Sequence, residues 1–348
     1  MDDVFAGVIG HGPVVAMLRQ ELARPAQAYL FVGPAGVGKA TVARRFAAAL
    51  LADDPDVRAR VVAGNHPDLV VVEPEGKASV TVDQARHTVA QASLAPMVAA
   101  RKVFLFEEGG MMNDEAANTL LKTLEEPTAS TIFIIVVDAG DELPLTIASR
   151  CRPVVFGRAA DTEVIEGLTA AGVDPEQAER SALIAGGRPG LALTMATRPE
   201  VAEYRRVWLS IPERLTGEPG DAYLLADEVE RATKPLLTAV TAASAAAADE
   251  AMGRRGEERA ERQARRASAA LHVSGLEILA GFYRDVAAAQ LGAPVRNPDI
   301  QATSLTLLSP AAAVAAAERV LETIEALESN QRSTLAFANL FSDLGAPR

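Results

Sequence analysis

The sequence is poor in cysteine and in aromatic residues. Cys151 is the single cysteine, which excludes a framework of internal disulfides, and aromatic residues make up 4% of the 348 positions. The four histidines are scattered, so no spacing typical of zinc ligands appears. No apolar run approaches the roughly 18 residues of a membrane span. Acidic residues also follow Met1, where a secretion signal has basic ones. We therefore expect a soluble cytoplasmic protein that does not bind membranes.

Basic residues are also in short supply. Lys and Arg total 34 against 46 Asp and Glu, a formal net charge of −12. Because nucleic acid is held mainly through basic side chains, this balance disfavours a stand-alone DNA-binding protein. It leaves open a place in a complex whose other members bind DNA. Hydrophobic residues make up 49% of the chain, enough for packed cores, and the length predicts two or three domains.

The stretch "GPAGVGKAT", residues 33–41, is one residue away from a phosphate-binding loop. The complete pattern is Gly, four residues, Gly, Lys, then Ser or Thr. Gly33, Gly38 and Lys39 fit this pattern, with Gly36 inside the loop, but Ala40 stands where the hydroxyl belongs. The sequence therefore predicts a degenerate site.

The residues around this loop have the order that a phosphate loop requires. "AYLFV" at 28–32 is typical of a buried parallel strand, and Val42, Phe46 and Leu50 recur at helical spacing after the loop. A helix N-terminus offers free N–H groups and a positive dipole end to a phosphate, beside the Lys39 ammonium. We thus expect ATP or ADP to bind weakly or not at all, and no cofactor to be required.

Efficient hydrolysis needs further groups that hold magnesium and position water. Ala40 cannot ligate a metal. Thr41 lies about 100° further around the helix and points elsewhere unless the loop shifts register. We therefore count Thr41 with Gly33, Gly36, Gly38 and Lys39 as a candidate binding residue of the degenerate loop. Glu107 and Glu108 follow the third apolar run, at the positions of a metal-binding Asp and a water-polarising Glu. Glu107 is one methylene too long for tight magnesium geometry. The alternative for this pair is a strand end that simply reaches solvent.

Three more apolar runs alternate with helical stretches, and continuous apolar runs suit strands that are covered on both faces. The runs are "LVVVEP" (69–74), "KVFLFEE" (102–108) and "TIFIIVV" (131–137). A helix is predicted over 113–127, capped by Asn113 or Asp114 and ended by Pro127. Residues 1–158 therefore indicate a doubly wound α/β domain.

The remaining chain is predicted to be helical. Residues 159–207 show short helical patterns, and residues 208–348 are helical and rich in alanine. Residues 249–266 mix both signs of charge, which favours a solvated helix or a mobile insertion, with an Arg-rich binding patch as the alternative.

Several stretches together resemble the delta-prime family of bacterial DNA polymerase III clamp-loader subunits, which are AAA+ relatives. They are "VIGHGPVVAMLRQEL", "AYLFVGPAGVGKAT", "NHPDLVVVEPEG", "VDQAR", "DEAANTLLKTLEEP" and "IASRCRP", within residues 1–193. The resemblance implies an AAA+ domain with a parallel sheet, a small helical lid and an all-α collar. It further implies a hetero-oligomer with delta and gamma/tau type subunits, which acts on a sliding clamp and primed DNA.

The same resemblance assigns a role to Arg150. It implies an arginine finger that reaches the ATP site of a neighbouring subunit and stabilises charge in phosphoryl transfer. The alternative is an exposed basic turn. We interpret Cys151 as a small packed residue rather than a nucleophile, since no histidine is near it in sequence.

The sequence departs from the family's ATPase subunits at several positions. Ala40 lacks the metal-ligating hydroxyl, and Glu107 replaces the expected metal-binding Asp. Val137 aligns with a polar sensor, and Gly190 aligns with a lid arginine, although Arg188 is close by. These departures favour a subunit that does not hydrolyse ATP. The rival is a self-sufficient AAA+ ATPase, either a motor-type subunit or a recombination-associated relative. Many family members also have a four-cysteine zinc module where this chain has "DDPDVRARVVAG", so no zinc is expected.

Overall fold

The computed structural model describes residues 3–74, 79–198, 200–246, 253–297, 300–328 and 332–346. The chain divides into two compact units. The first unit comprises the described residues up to Ala178, together with Gly187–Leu191 and Gly253–Glu258. The second unit comprises Glu179–Gly186 and the described parts of Ala192–Met252 and Arg259–Arg348. The division into three domains, 1–158, 159–207 and 208–348, stays a prediction.

A five-stranded parallel sheet forms the centre of the first unit. Its strands are β1 Ala28–Val32, β2 Leu69–Val71, β3 Lys102–Phe106, β4 Thr131–Val137 and β5 Arg152–Val155. They are arranged in the order β2-β3-β4-β1-β5. The first four confirm the predicted runs. β5 was not predicted, because it is a short edge strand in which only Val154 is buried.

Helices cover both faces of the sheet, as the continuous apolar runs predicted. They are α1 Gly12–Glu21, α2 Lys39–Leu51, α3 Pro55–Val62, α4 Val82–Ala92, α5 Asp114–Glu125 and α6 Leu145–Ala148; α7 Asp161–Ala170 follows β5 in the chain. Tyr29 and Phe31 of β1 pack in one core with α1 and α2, while Leu30 packs on the other face with α4 and α5. The predicted helix over 113–127 is confirmed as α5, whose first turn is capped by the Asn113 side chain.

Helices α8 Pro175–Ala185 and α9 Pro189–Ala196 follow the sheet. The second unit is helical, with α10 Glu200–Arg214, α11 Pro219–Ala246, most of α12 Gly253–Gln290, α13 Pro310–Glu328 and α14 Ser333–Gly345. Of the charged segment, residues 249–252 lie outside the described residues, and 253–266 begin α12. Within the described ranges, no helix combines the length and the apolar character needed to span a membrane.

Trp208 of α10 lies buried in the second unit and packs against aromatic side chains. Its indole is buried and meets the Phe337 ring edge-on, with 5.5 Å between ring centroids. Gly275 of α12 allows this packing, because a Cβ added there would lie 1.9 Å from Trp208 Cε2. One turn away, the Tyr204 hydroxyl donates a hydrogen bond to the carbonyl of Leu271.

Candidate nucleotide site and the Arg150 turn

The phosphate-loop sequence lies between β1 and α2, at the carboxyl edge of the sheet. Val32 at the end of β1 pairs with Val137 at the end of β4, and β4 pairs in turn with β3. Residues that directly follow β1, β3 and β4 therefore share one edge, where ligands bind in sheets of this class. This edge holds the loop, Glu107 and Asp138.

The loop glycines are required by close packing and by backbone conformation. A Cβ on Gly33 would lie 2.1 Å from the carbonyl oxygen of Phe156. Gly38, the residue before α2, has a φ of 104°, which side-chain-bearing residues rarely adopt. Gly36 lies under the Arg188 side chain, whose Cδ would be 3.2 Å from an added Cβ. Arg188 is buried against the loop, whereas the space above Gly190 is open.

Lys39 is the most completely bonded side chain of the loop. The residue is 4% exposed, and its ammonium donates to the carbonyl oxygens of Gly33 and Pro34, the latter at 2.7 Å. The third contact is an ion pair with Asp138 Oδ1 at 2.8 Å. Asp138 was not predicted from the sequence as a residue of this site. The available signal was a carboxylate directly after β4, at the same sheet edge as the loop.

The groups that would hold magnesium are absent or engaged elsewhere. Ala40 has no ligating atom, and Thr41 is exposed on α2. The Glu107 carboxylate binds the Arg44 guanidinium through two hydrogen bonds, of which Nη2 to Oε2 measures 2.8 Å. Burial lowers the pKa of Arg44, but the hydrogen bonds and charge of Glu107 outweigh burial and raise it. Glu107 is therefore part of an ion pair that joins β3 to α2.

Two further predicted residues, Glu108 and Val137, lie at this edge. The carbonyl of Glu108 accepts a hydrogen bond from the Met111 amide at 3.0 Å, which closes the 3-10 turn Gly109–Met111. Val137, aligned with a polar sensor, is buried at the end of β4. An apolar, buried side chain cannot position water or sense a phosphate.

Arg150 follows the short helix α6 and is about one third exposed, at 34% of its side chain. Its guanidinium donates to Glu125 at the end of α5, with Nε 2.9 Å from Oε1, and to the Thr146 carbonyl at 2.7 Å. Glu125 was not predicted as a partner of Arg150. Nothing in the spacing of two residues on different elements indicates such a contact.

The sheet register places Arg150 far from the loop of its own chain. Two residues after it, Arg152 begins β5 and pairs with Tyr29, whereas the loop begins after Val32. At ~3.3 Å per residue, the stretch of β1 from Tyr29 to Val32 is about 10 Å long. Arg150 therefore lies at the amino edge of the sheet and the phosphate loop at the carboxyl edge.

Cys151 behaves as a packed residue. It is buried in the core that α4 and α5 form on one face of the sheet. Burial raises the pKa of its thiol to about 11. A thiol with this pKa is almost wholly protonated at neutral pH, and the thiolate is the nucleophilic form.

Comparison with known proteins finds similarity to subunits of DNA polymerase III. A family model described as DNA polymerase III, delta subunit, matches residues 10–160. The chain is 36% identical to DNA polymerase III subunit delta' of Pseudomonas aeruginosa over 179 residues, which cover 48% of this chain and 55% of that protein.

Two relatives from Bacillus subtilis extend the comparison. DNA polymerase III subunit tau is 33% identical over 182 residues, covering 50% of this chain and 32% of that protein. Subunit delta' is 27% identical over 213 residues, covering 59% of this chain and 64% of that protein. The chain thus spans less than two thirds of the length of each of these relatives. Over about half of its length the chain is thus similar to delta' and tau subunits of DNA polymerase III.

Proposed function

We propose that the chain is a delta-prime, stator-like subunit of a bacterial DNA polymerase III clamp loader. In this role it works in the cytoplasm in a hetero-oligomer with delta and gamma/tau type subunits. It contacts the sliding clamp and primed DNA as part of that complex. It hydrolyses no ATP itself and supplies Arg150 to the ATP site of a neighbouring subunit.

The position of Arg150 carries this proposal. The guanidinium lies at the amino edge of the sheet, at the opposite end of β1 from the loop of its own chain. An arginine there is partly exposed and can approach a phosphate bound by another subunit. A guanidinium supplied in trans stabilises the charge that develops in phosphoryl transfer.

The state of the chain's own loop supports the non-hydrolysing half of the proposal. Ala40 offers no metal ligand, and Glu107 is held in a two-bond ion pair by Arg44. Magnesium would have to break that pair and still lack the hydroxyl ligand, since phosphate-loop enzymes hold it through a Ser or Thr and an Asp.

The test is a loader reconstituted with wild-type, Arg150→Ala or Arg150→Lys subunit. Loss of a finger costs roughly 10³–10⁵ in rate at the affected site. Because a loader has several sites, bulk ATP turnover should fall by a modest factor and clamp loading on primed DNA by more. Arg150→Lys should rescue poorly, since lysine lacks the planar fork.

A matched control is Arg86→Ala, which removes an exposed arginine of α4 that pairs with Asp83, three residues earlier in the same helix. It should leave assembly, turnover and loading unchanged. Unchanged loading with Arg150→Ala in a fully assembled complex would show that Arg150 is not an arginine finger and that the subunit acts as a scaffold.

The rival function, an active motor-type ATPase, is favoured by the similarity to subunit tau of Bacillus subtilis. Purified chain alone distinguishes the two. We expect ATP turnover with magnesium at background level. Turnover near ~1 s⁻¹, at the low end of ordinary enzymes, that disappears in Lys39→Ala would establish the rival.

A further inference from the structure

We propose that Asp138 is an internal competitor for phosphate at Lys39, so that the chain itself holds its phosphate loop closed to nucleotide. The proposal deepens the nucleotide-site part of the proposed function and does not depend on Arg150. It assigns a role to a residue outside the phosphate-loop motif, 99 positions away from Lys39 in sequence.

The bonding of Lys39 is the first support. A lysine ammonium has three N–H donors and no acceptor. Here the three acceptors are Gly33 O, Pro34 O and Asp138 Oδ1, all within hydrogen-bond distance. A phosphate oxygen therefore has to displace one of them before it can bind the ammonium.

Asp138 is the acceptor that most resembles a phosphate. It is the anionic member of the three, and charge-assisted hydrogen bonds are the stronger kind. Its side chain remains 42% exposed, so it lies at the mouth of the site rather than within the core. A bound nucleotide would have to remove this carboxylate from Lys39 and then remain close to its negative charge.

The sheet and a local turn hold Asp138 at this position. Val137, the residue before it, pairs with Val32, the residue before the loop, so the backbone of Asp138 starts level with Gly33. The Asp138 amide donates to Glu142 Oε2 at 3.1 Å, which ties it to the 3-10 turn Gly140–Glu142. The carboxylate is thus presented to Lys39 by the fold and not by a free side chain alone.

Removal of the Asp138 charge should therefore open the loop to anions. Asp138→Asn preserves the shape of the side chain and leaves the Lys39 ammonium with a weak, neutral partner. We expect ADP to bind on the order of tenfold more tightly, the scale of a partly exposed ion pair together with one like-charge contact.

The experiment uses the full chain and a fluorescent N-methylanthraniloyl ADP, displaced by unlabelled ADP and by pyrophosphate. Asp138→Asn and Asp138→Ala are compared with wild type in magnesium-free buffer, after circular dichroism has established that each is folded. Asp141→Asn, which neutralises an exposed carboxylate in the neighbouring 3-10 turn, is the charge-matched control and should bind like wild type.

A double variant, Lys39→Ala with Asp138→Asn, tests whether the gain passes through the ammonium. The gain should disappear in it. Unchanged or weaker binding in both Asp138 variants, an equal gain in Asp141→Asn, or a gain that survives without Lys39 would each overturn the proposal. None of these outcomes touches the Arg150 experiment, so the two proposals fail separately.

Discussion

The substitution Asp68→Asn should loosen the chain segment that leads into β3. Asp68 is fully buried, and its carboxylate accepts three backbone hydrogen bonds. The donors are the amides of Met97 at 2.6 Å, Val98 at 2.8 Å and Ala99 at 2.8 Å. Met97 and Val98 are 77% and 76% exposed, so little packing holds this segment in place. We infer that the carboxylate is its main anchor.

The expected magnitude follows from the geometry. An asparagine turned to keep its carbonyl at the Oδ2 position retains the bonds from Val98 and Ala99 but sets an NH₂ group against the Met97 amide. One charge-assisted bond is lost and two are weakened. At ~1.5–3 kcal/mol for a hydrogen bond to a charged group, opening of the segment should become easier by about 2–3 kcal/mol.

Hydrogen exchange of a peptide that covers residues 93–101 is the appropriate assay. Global unfolding would report on both compact units, whereas exchange reports on local opening. A change of ~2–3 kcal/mol corresponds to exchange about 30- to 150-fold faster at these three amides. Asp83→Asn, at an exposed position in α4, should leave exchange unchanged. An acceleration below about threefold in Asp68→Asn would refute the anchor.

The protection that the Asp68 carboxylate gives to these amides should depend on pH. Burial raises the pKa of Asp68, but the three backbone hydrogen bonds outweigh it and hold the pKa below its usual value. A carboxyl group whose pKa is lower in the folded state stabilises that state above its unfolded pKa of about 4, and this contribution is lost as the pH falls through the folded value. Protection of these amides, corrected for intrinsic exchange, should therefore fall below about pH 4 in wild type and stay flat in Asp68→Asn.

Two further predictions concern packing. Gly275→Ala should destabilise the second unit by about 1–3 kcal/mol in thermal or urea unfolding, because its Cβ would overlap the Trp208 indole. Gly281→Ala in the same helix is the control and should be neutral or stabilising, since its Cβ would lie 3.4 Å from Asn297 Nδ2. Equal effects of the two substitutions would contradict the packing of Gly275 against Trp208. Cys151 should resist a thiol reagent at pH 8 in the native chain and react fully in denaturant, since burial raises its pKa to about 11; rapid native labelling would show an exposed thiol.

Much of the first unit could be predicted because its signals are local. The run Ala28–Val32, the glycine loop and the amphipathic spacing of α2 lie within about two dozen consecutive residues, and each specifies its element without distant partners. Continuous apolar runs likewise predicted strands that are covered on both faces, because parallel strands need helices on each side. The edge strand β5 lacks such a run, which is why it was missed.

The sequence by itself determined which chemical groups are present: a loop lysine without its hydroxyl partner, two glutamates after β3, and an arginine before β5. Only the tertiary structure decided what these groups contact. Lys39 meets Asp138 across 99 positions, and Glu107 meets Arg44 across 63. Strand order and register, which depend on the packing of the whole sheet, bring Asp138 beside the loop and place Arg150 at the opposite edge. Residue spacing carries no information on such contacts, because they arise only when separate strands align.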